Sequence, residues 1–270
     1  MTTLSDTSTW LPLDGLQRGF DANKAQLSSA LAGRTVTVVD ERGTRITHRF
    51  AANNVQWDYV PAAGESQNGT DEYEAFDVAD GLIYAQFHHT DEPATAVSLM
   101  LDLSNGHALS IVTTIADPKP GHTRVRQEFV PSRIEGIEPT GPAPAPTTVL
   151  IGRRALWVYS EDHAYEHIYL SQHWYTWQCL AGPERGLADT DENTVYELRP
   201  GIYVFTWREK VIPCAAVTVA DHRDQRNLRS HGALFGLDET GKTPTHFTFG
   251  AVGRLLSNTA HPAELDPAGS

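Results

Sequence analysis

The 270-residue chain carries 21 lysines plus arginines against 34 acidic residues, a formal net charge of -13, and is 40% hydrophobic and 20% charged. Such proportions belong to a globular chain able to bury a sizeable core, not to a disordered one. They argue against nucleic-acid or anionic-membrane partners, which need clustered positive charge, and no run of about 18 apolar residues marks a membrane span.

The N-terminus has neither a basic start nor a long apolar stretch, so no secretory signal is expected. Residues 1–20 read as an extended, polar lead-in. Asp21 can then cap a short helix over Ala22 to Ala32, with Leu27 and Leu31 four apart and Gly33 ending it. Beyond Gly33 the period changes to two: Thr35 to Val38, Leu82 to Phe87, Val97 to Leu101 and Ala108 to Val112 are short β-branched or aromatic runs. Arg42-Gly43, Asn68-Gly69, Asp80-Gly81 and Asn105-Gly106 supply the turn signals between such runs. The fold class is therefore mainly β, with up-and-down antiparallel strands.

Thr140 to Thr148 is rich in proline and glycine and reads as an extended linker. The sequence on its two sides corresponds in order and spacing. Gly33-Arg34 matches Gly152-Arg153, His48 matches His167 and Phe50 matches Tyr169, at an offset of about 119 residues. With one residue inserted, Asp71-Glu72 falls on Asp191-Glu192 and Phe87 on Trp207. A tandem duplication follows, with an N-terminal β unit over 1–139, a linker over 140–148 and a C-terminal unit over 149–270 that ends in a polar tail. Each unit can close as a barrel or pack as a sandwich. The hairpin meander suits a lipocalin-type (calycin-type) antiparallel barrel, with room for one small ligand.

The candidate site lies in the C-terminal unit. Trp174 to Cys179 is an aromatic strand running into a turn with Glu184, Arg185, Asp189 and Asp191, which suits an aromatic, apolar or amine-bearing ligand. A solvated acidic loop beside an ordinary core is the competing reading. Tyr203, Phe205 and Trp207 share one face of a strand, so either Trp207 or Arg208 points inward. An inward Arg208 would need Glu184 or Asp189 as partner, whereas an outward one would pair with Glu209 or with nothing. His167, Glu184, Asp189 and Arg208 are the catalytic candidates. Tyr169, Trp174, Trp177, Tyr203, Phe205, Trp207 and His231 are the ligand-binding candidates.

No metal and no cofactor are expected. His163 and His167, four apart on a strand, stand about 13 Å from each other, too far to share an ion. His88 and His89 point to opposite faces. GxSxG, GxGxxG and P-loop patterns are lacking. Cys179 and Cys214, without a CxxC pair, read as buried small hydrophobes in a reduced, cytoplasmic protein.

The run from Leu180 to Asp191 (Leu-Ala-Gly-Pro-Glu-Arg-Gly-Leu-Ala-Asp-Thr-Asp) and the run from Tyr196 to Lys210 resemble the MoaF family, as do Gly232 to Gly236 and Gly250 to Gly253. The resemblance spans most of residues 10–257 and is most specific in the C-terminal half. Members carry the label molybdenum cofactor biosynthesis protein F and consist of two lipocalin-like parts. The resemblance thus implies two tandem barrels with a short N-terminal helix, and it carries over no catalytic residue. Its label is tied to monoamine-responsive operons as well as to cofactor synthesis. The functional expectation is a cofactor-independent isomerase, lyase or cyclase acting on a small aromatic or apolar metabolite. A non-catalytic carrier is the alternative, a structural accessory is a third reading, and a homodimer is left open.

Overall fold

The computed structural model describes residues 10–269. It is mainly β, as the alternation implies, and its strands form two closed eight-stranded antiparallel barrels in tandem. The first comprises β1 (Thr35–Asp40), β2 (Arg45–Phe50), β3 (Asn54–Val60), β4 (Gln67–Ala79), β5 (Leu82–His88), β6 (Thr95–Asp102), β7 (His107–Ile115) and β8 (Val125–Ile134). It closes where β8 pairs with β1, Val38 opposite Ile134. The linker holds only the two-residue strand β9 (Ala145–Pro146).

The second barrel repeats the plan with β10 (Arg153–Ser160), β11 (His163–Tyr169), β12 (Trp174–Ala181), β13 (Ala188–Arg199), β14 (Ile202–Arg208), β15 (Cys214–Asp221), β16 (Leu228–Leu237) and β17 (Pro244–Asn258). Pairing of β10 with β17 completes the ring. Closure pairs each of the eight strands of a barrel on both sides and so removes the barrel's own edges. No helix among the described residues is long and apolar enough to cross a membrane.

Period-two alternation selects the inner faces. Val36, Val38, Phe50, Val55, Ala75 and Phe87 fill the first barrel. Trp157, Tyr165, Tyr175, Trp177, Phe205 and Trp207 belong to the much more aromatic core of the second. Gly43, Gly81 and Gly106 take positive φ at hairpin turns, as their turn signals require. Asn68-Gly69 does not make a turn. It lies inside β4, where the Trp57 indole lies so close to Gly69 that an added Cβ would be 2.5 Å from it.

Two expectations for the N-terminal stretch fail. Ala22 to Ala32 forms turns and extended chain instead of a helix, and Leu27 is exposed. The helix is α1 (Leu13–Leu16), inside the stretch expected to be extended, and Leu13 and Leu16 are buried. Four residues cannot hold a helix alone, so packing holds this one. That packing is with the C-terminal barrel: residues 10–24 belong to the same compact unit as β10–β17, while 25–116 form the N-terminal unit with 126–145. Residues 1–9 of the expected lead-in lie outside the described residues.

Candidate functional site

One chamber lies in the C-terminal barrel beneath the segment 10–24. Strand parity turns Tyr159, Tyr165, His167, Tyr175, Trp177 and Trp207 inward to line it. Leu16 and Phe20 cover it, and Glu184 and Glu209 bring carboxyl groups to its wall. The Phe20 ring meets Tyr159 at 4.5 Å and Tyr165 at 5.8 Å between centroids. Trp10 packs edge-on against Trp177 at 5.2 Å. Backbone and side-chain bonds fasten the same segment: Leu11 N donates to Glu184 Oε1 (3.3 Å), Asn23 Nδ2 to the Val158 carbonyl (2.9 Å) and Lys24 Nζ to Thr248 Oγ1 (2.7 Å). Gly250 is glycine because the chain at Lys24 passes over it, 2.7 Å from where a Cβ would stand. The enclosed space is about 40 Å³, enough for two or three water molecules.

The carboxyl groups are the unusual feature of this wall. Asp191, fully buried on β13, accepts hydrogen bonds from Trp177 Nε1 (2.9 Å) and from the Lys210 backbone N–H (3.1 Å). Burial, helped by the negative charge of Asp189, still pushes its pKa up to about 6. Glu209 accepts from Trp207 Nε1 at 3.1 Å, and burial beside Asp191 drives its pKa well above the carboxylate range. The Asp191 charge is one cause of the Glu209 rise, so the two carboxyl groups bear on each other. Glu184, buried on the loop before β13, accepts from Tyr165 Oη at 2.8 Å and is raised by desolvation. His167 is walled by Tyr175, Phe205 and Trp207, and burial lowers its pKa to about 3. Its Nδ1 has no hydrogen-bond partner among the described residues. It therefore stays neutral and offers polarity without charge.

Of the residues singled out from sequence, His167, Glu184, Trp177 and Trp207 meet in this chamber. Phe205 and Tyr169 also point inward, packed edge-on against each other at 5.0 Å between centroids beside the chamber's lining. Tyr203 shares their face, but its ring is covered by the Arg153 guanidinium at 5.8 Å and by His222. Four residues fall elsewhere. Trp174 is on the outer face of β12 and 46% exposed. Arg208 points outward, where it pairs with Glu192 (3.2 Å) and donates to Thr194 Oγ1 (3.2 Å) rather than to Glu184 or Asp189. Asp189 lies at the rim, in an ion pair with Lys210 at 3.2 Å. His231 is buried on the outer face of β16, opposite in parity to Leu234, which lines the chamber.

Sequence reasoning passed over Asp191, Glu209, Tyr165 and the covering segment as site residues. A signal existed. Trp57 and Asp71 are spaced like Trp177 and Asp191, and both pairs are hydrogen bonded indole to carboxylate. The cradle repeats further: the Thr90 N–H donates to Asp71 (2.7 Å) as that of Lys210 does to Asp191. The residue before each donor, His89 or Glu209, gives its own N–H to the start of the next strand, at Thr95 or Cys214. The duplication inferred from spacing thus reaches individual hydrogen bonds. Among the described residues no three histidine, cysteine, aspartate or glutamate side chains are grouped to hold a metal ion.

Fold and chamber together define a class: a tandem of small up-and-down β-barrels, one with an aromatic, acid-lined interior under an N-terminal cover. Residues 8–117 match the MoaF N-terminal domain and residues 144–259 the MoaF C-terminal domain. The chain is also 32% identical over 193 residues to Protein MoaF of Klebsiella aerogenes, covering 67% of this chain and 72% of that one. It belongs to the MoaF family. Among solved structures, a DNA polymerase III β chain from Streptococcus pneumoniae aligns over 96% of this chain and 83% of its own at 5% identity. Its TM-score of 0.15 is too low to carry any argument.

Proposed function

We propose that the C-terminal barrel is the reaction chamber of a cofactor-independent enzyme that moves a proton on a small aromatic or apolar metabolite, an isomerase, lyase or cyclase. The observation that carries this reading is the Asp191–Glu209 pair, two carboxyl groups with raised pKa values, of which Glu209 lines the aromatic chamber and Asp191 is held behind it by Trp177. An acid that keeps its proton near neutrality and can give it back is what general acid–base catalysis needs. Glu209 lines the chamber and exchanges the proton. Asp191, fixed by Trp177 and Lys210, sets how tightly that proton is held. Glu184 with Tyr165 offers a second donor–acceptor pair across from it. Neutral His167 orients the ligand instead of ionising. Leu16 and Phe20 must move aside to admit a metabolite, and their return excludes water.

A carrier is the second reading, favoured by the composition of the wall. Glu184 and Glu209 set carboxyl oxygens among aromatic faces, with no lysine or arginine in the lining, so the chamber suits an amine-bearing ligand better than an anion. One experiment tests both readings: incubation with aromatic amines, aldehydes, phenolic acids and polyenes, followed by thermal shift and mass spectrometry. Conversion of a hit, lowered at least about a hundredfold in Glu209→Gln with the fold intact, is the expected result. Undiminished conversion in that variant overturns the assignment, and a stabilising hit recovered unchanged leaves the carrier.

A further inference from the structure

The N-terminal barrel has a depression of its own, about 240 Å³, lined by Trp57, Gly69, Asp71 and His89, with Asp91 and Glu92 at its rim. Its floor is the cradle already described, with one difference. Where the other barrel places Glu209 beside Asp191, this one places His89 beside Asp71, and the sign of the perturbation reverses. Burial works to raise the Asp71 pKa, but hydrogen bonds from Thr90 N, Trp57 Nε1 and His89 Nδ1 outweigh it and hold the carboxylate below its usual range.

An ionised carboxylate can only accept, so the contact at 2.7 Å is His89 Nδ1–H donating to Asp71 Oδ2. That bond fixes the tautomer and leaves the lone pair on Nε2, which no group among the described residues engages. The imidazole is also held in place. It packs on Trp57 at 4.6 Å and on Phe87 at 5.6 Å, and the indole itself lies over Gly69, where a Cβ would collide with it. A rigid acceptor in a lined depression, aimed by a buried carboxylate, is a built recognition element. The rim selects the ligand's charge, for Asp91 and Glu92 are exposed carboxylates and no lysine or arginine lines the depression. A metal ion is poorly served, because both Asp71 oxygens already accept hydrogen bonds from protein donors.

We propose that this depression is a second ligand site, which takes a small organic cation bearing N–H groups, an ammonium or an amidinium. One N–H donates to His89 Nε2, and Asp91 and Glu92 supply the counter-charge. The site is independent of the chamber in the C-terminal barrel and stands whether or not that chamber is catalytic.

The test uses the full chain at pH 8 with four ring-matched probes: benzylamine, benzamidine, benzyl alcohol and benzoate. Long-range 1H–15N spectra of the histidine side chains report on His89 Nε2, and calorimetry gives affinity. The two cations are expected to shift the His89 Nε2 resonance, and the alcohol and benzoate to leave it in place. Asp91→Ala with Glu92→Ala, both at exposed positions, should weaken cation binding about tenfold. His89→Phe, which keeps a ring on Trp57 and Phe87, should abolish it, and undiminished cation binding in that variant overturns the proposal. No shift with either cation overturns the proposal, as does equal binding of benzoate. Loss of cation binding in Glu209→Gln with retention in His89→Phe would place the cation in the C-terminal chamber and overturn it too.

Discussion

Asp191→Asn should change how stability depends on pH, and the size of the change follows from the site. The buried Asp191 carboxyl titrates at about 6 instead of 3.8. Between those two values the folded chain keeps a proton that the unfolded chain has lost. Stability contributed by this group is therefore fully present below pH 3.8 and is lost as pH rises through 6. A rise of that size corresponds to about 3 kcal/mol. Asparagine carries no charge at any pH, but its amide nitrogen cannot accept from both Trp177 and Lys210, a fixed cost of about 1–3 kcal/mol. The variant should thus be less stable than the parent at pH 4 and regain about 2–3 kcal/mol on it by pH 7.5. Urea unfolding followed by tryptophan fluorescence measures this, because five of the six tryptophans lie in the unit that holds Asp191. Parallel pH profiles for the two proteins would refute the argument and with it the acid pair.

Phe20→Ala removes the ring that covers the chamber and should cost about 3–5 kcal/mol in denaturant unfolding while letting the barrel bind benzene more tightly than the parent does, read by calorimetry. Gly250→Ala sets a Cβ against the backbone at Lys24; amide exchange at Asn23 and Lys24 should accelerate, with about 1–3 kcal/mol of lost stability. Arg208→Met breaks the bonds to Glu192 and Thr194 on the outer face of β14, so stability should fall by about 1–3 kcal/mol while ligand affinity of the chamber, read by calorimetry, stays within about twofold.

The strands were legible because one inward face per strand imposes period two, and the turns because Gly43, Gly81 and Gly106 need a positive φ that few residues other than glycine accept. The helix was misplaced for a definite reason. Leu27 and Leu31 have helical spacing, yet only Leu31 is buried, whereas α1 is too short to show any period and depends on partners far along the chain. Trp177, Trp207, Glu184 and His167 could be named from aromatic content and loop acidity. The approach of Asp191 to Glu209 could not, because it follows from the β13–β14 register that sets their neighbours Glu192 and Arg208 opposite each other, and no linear spacing displays it. The repeated Trp–Asp spacing was the one linear trace of the cradle. Its meaning differs between the halves, since hydrogen bonds from Thr90, Trp57 and His89 keep Asp71 ionised whereas burial beside Asp189 raises Asp191.

Assignment of residues 10–24 to the C-terminal unit also fixes an order of assembly. Leu11 bonds to Glu184, 173 residues away, and Lys24 to Thr248, 224 residues away. During synthesis the segment emerges ahead of both barrels, and its set of partners is not complete until β17 has been made. The intervening N-terminal barrel can close by itself in the meantime, since domains generally fold as units as they emerge. Chain closure over such separations is slow, so the cover should be the last element to dock. A fragment cut at the linker would carry the whole second barrel without its cover, leaving Phe249, Tyr159 and Trp177 open to water.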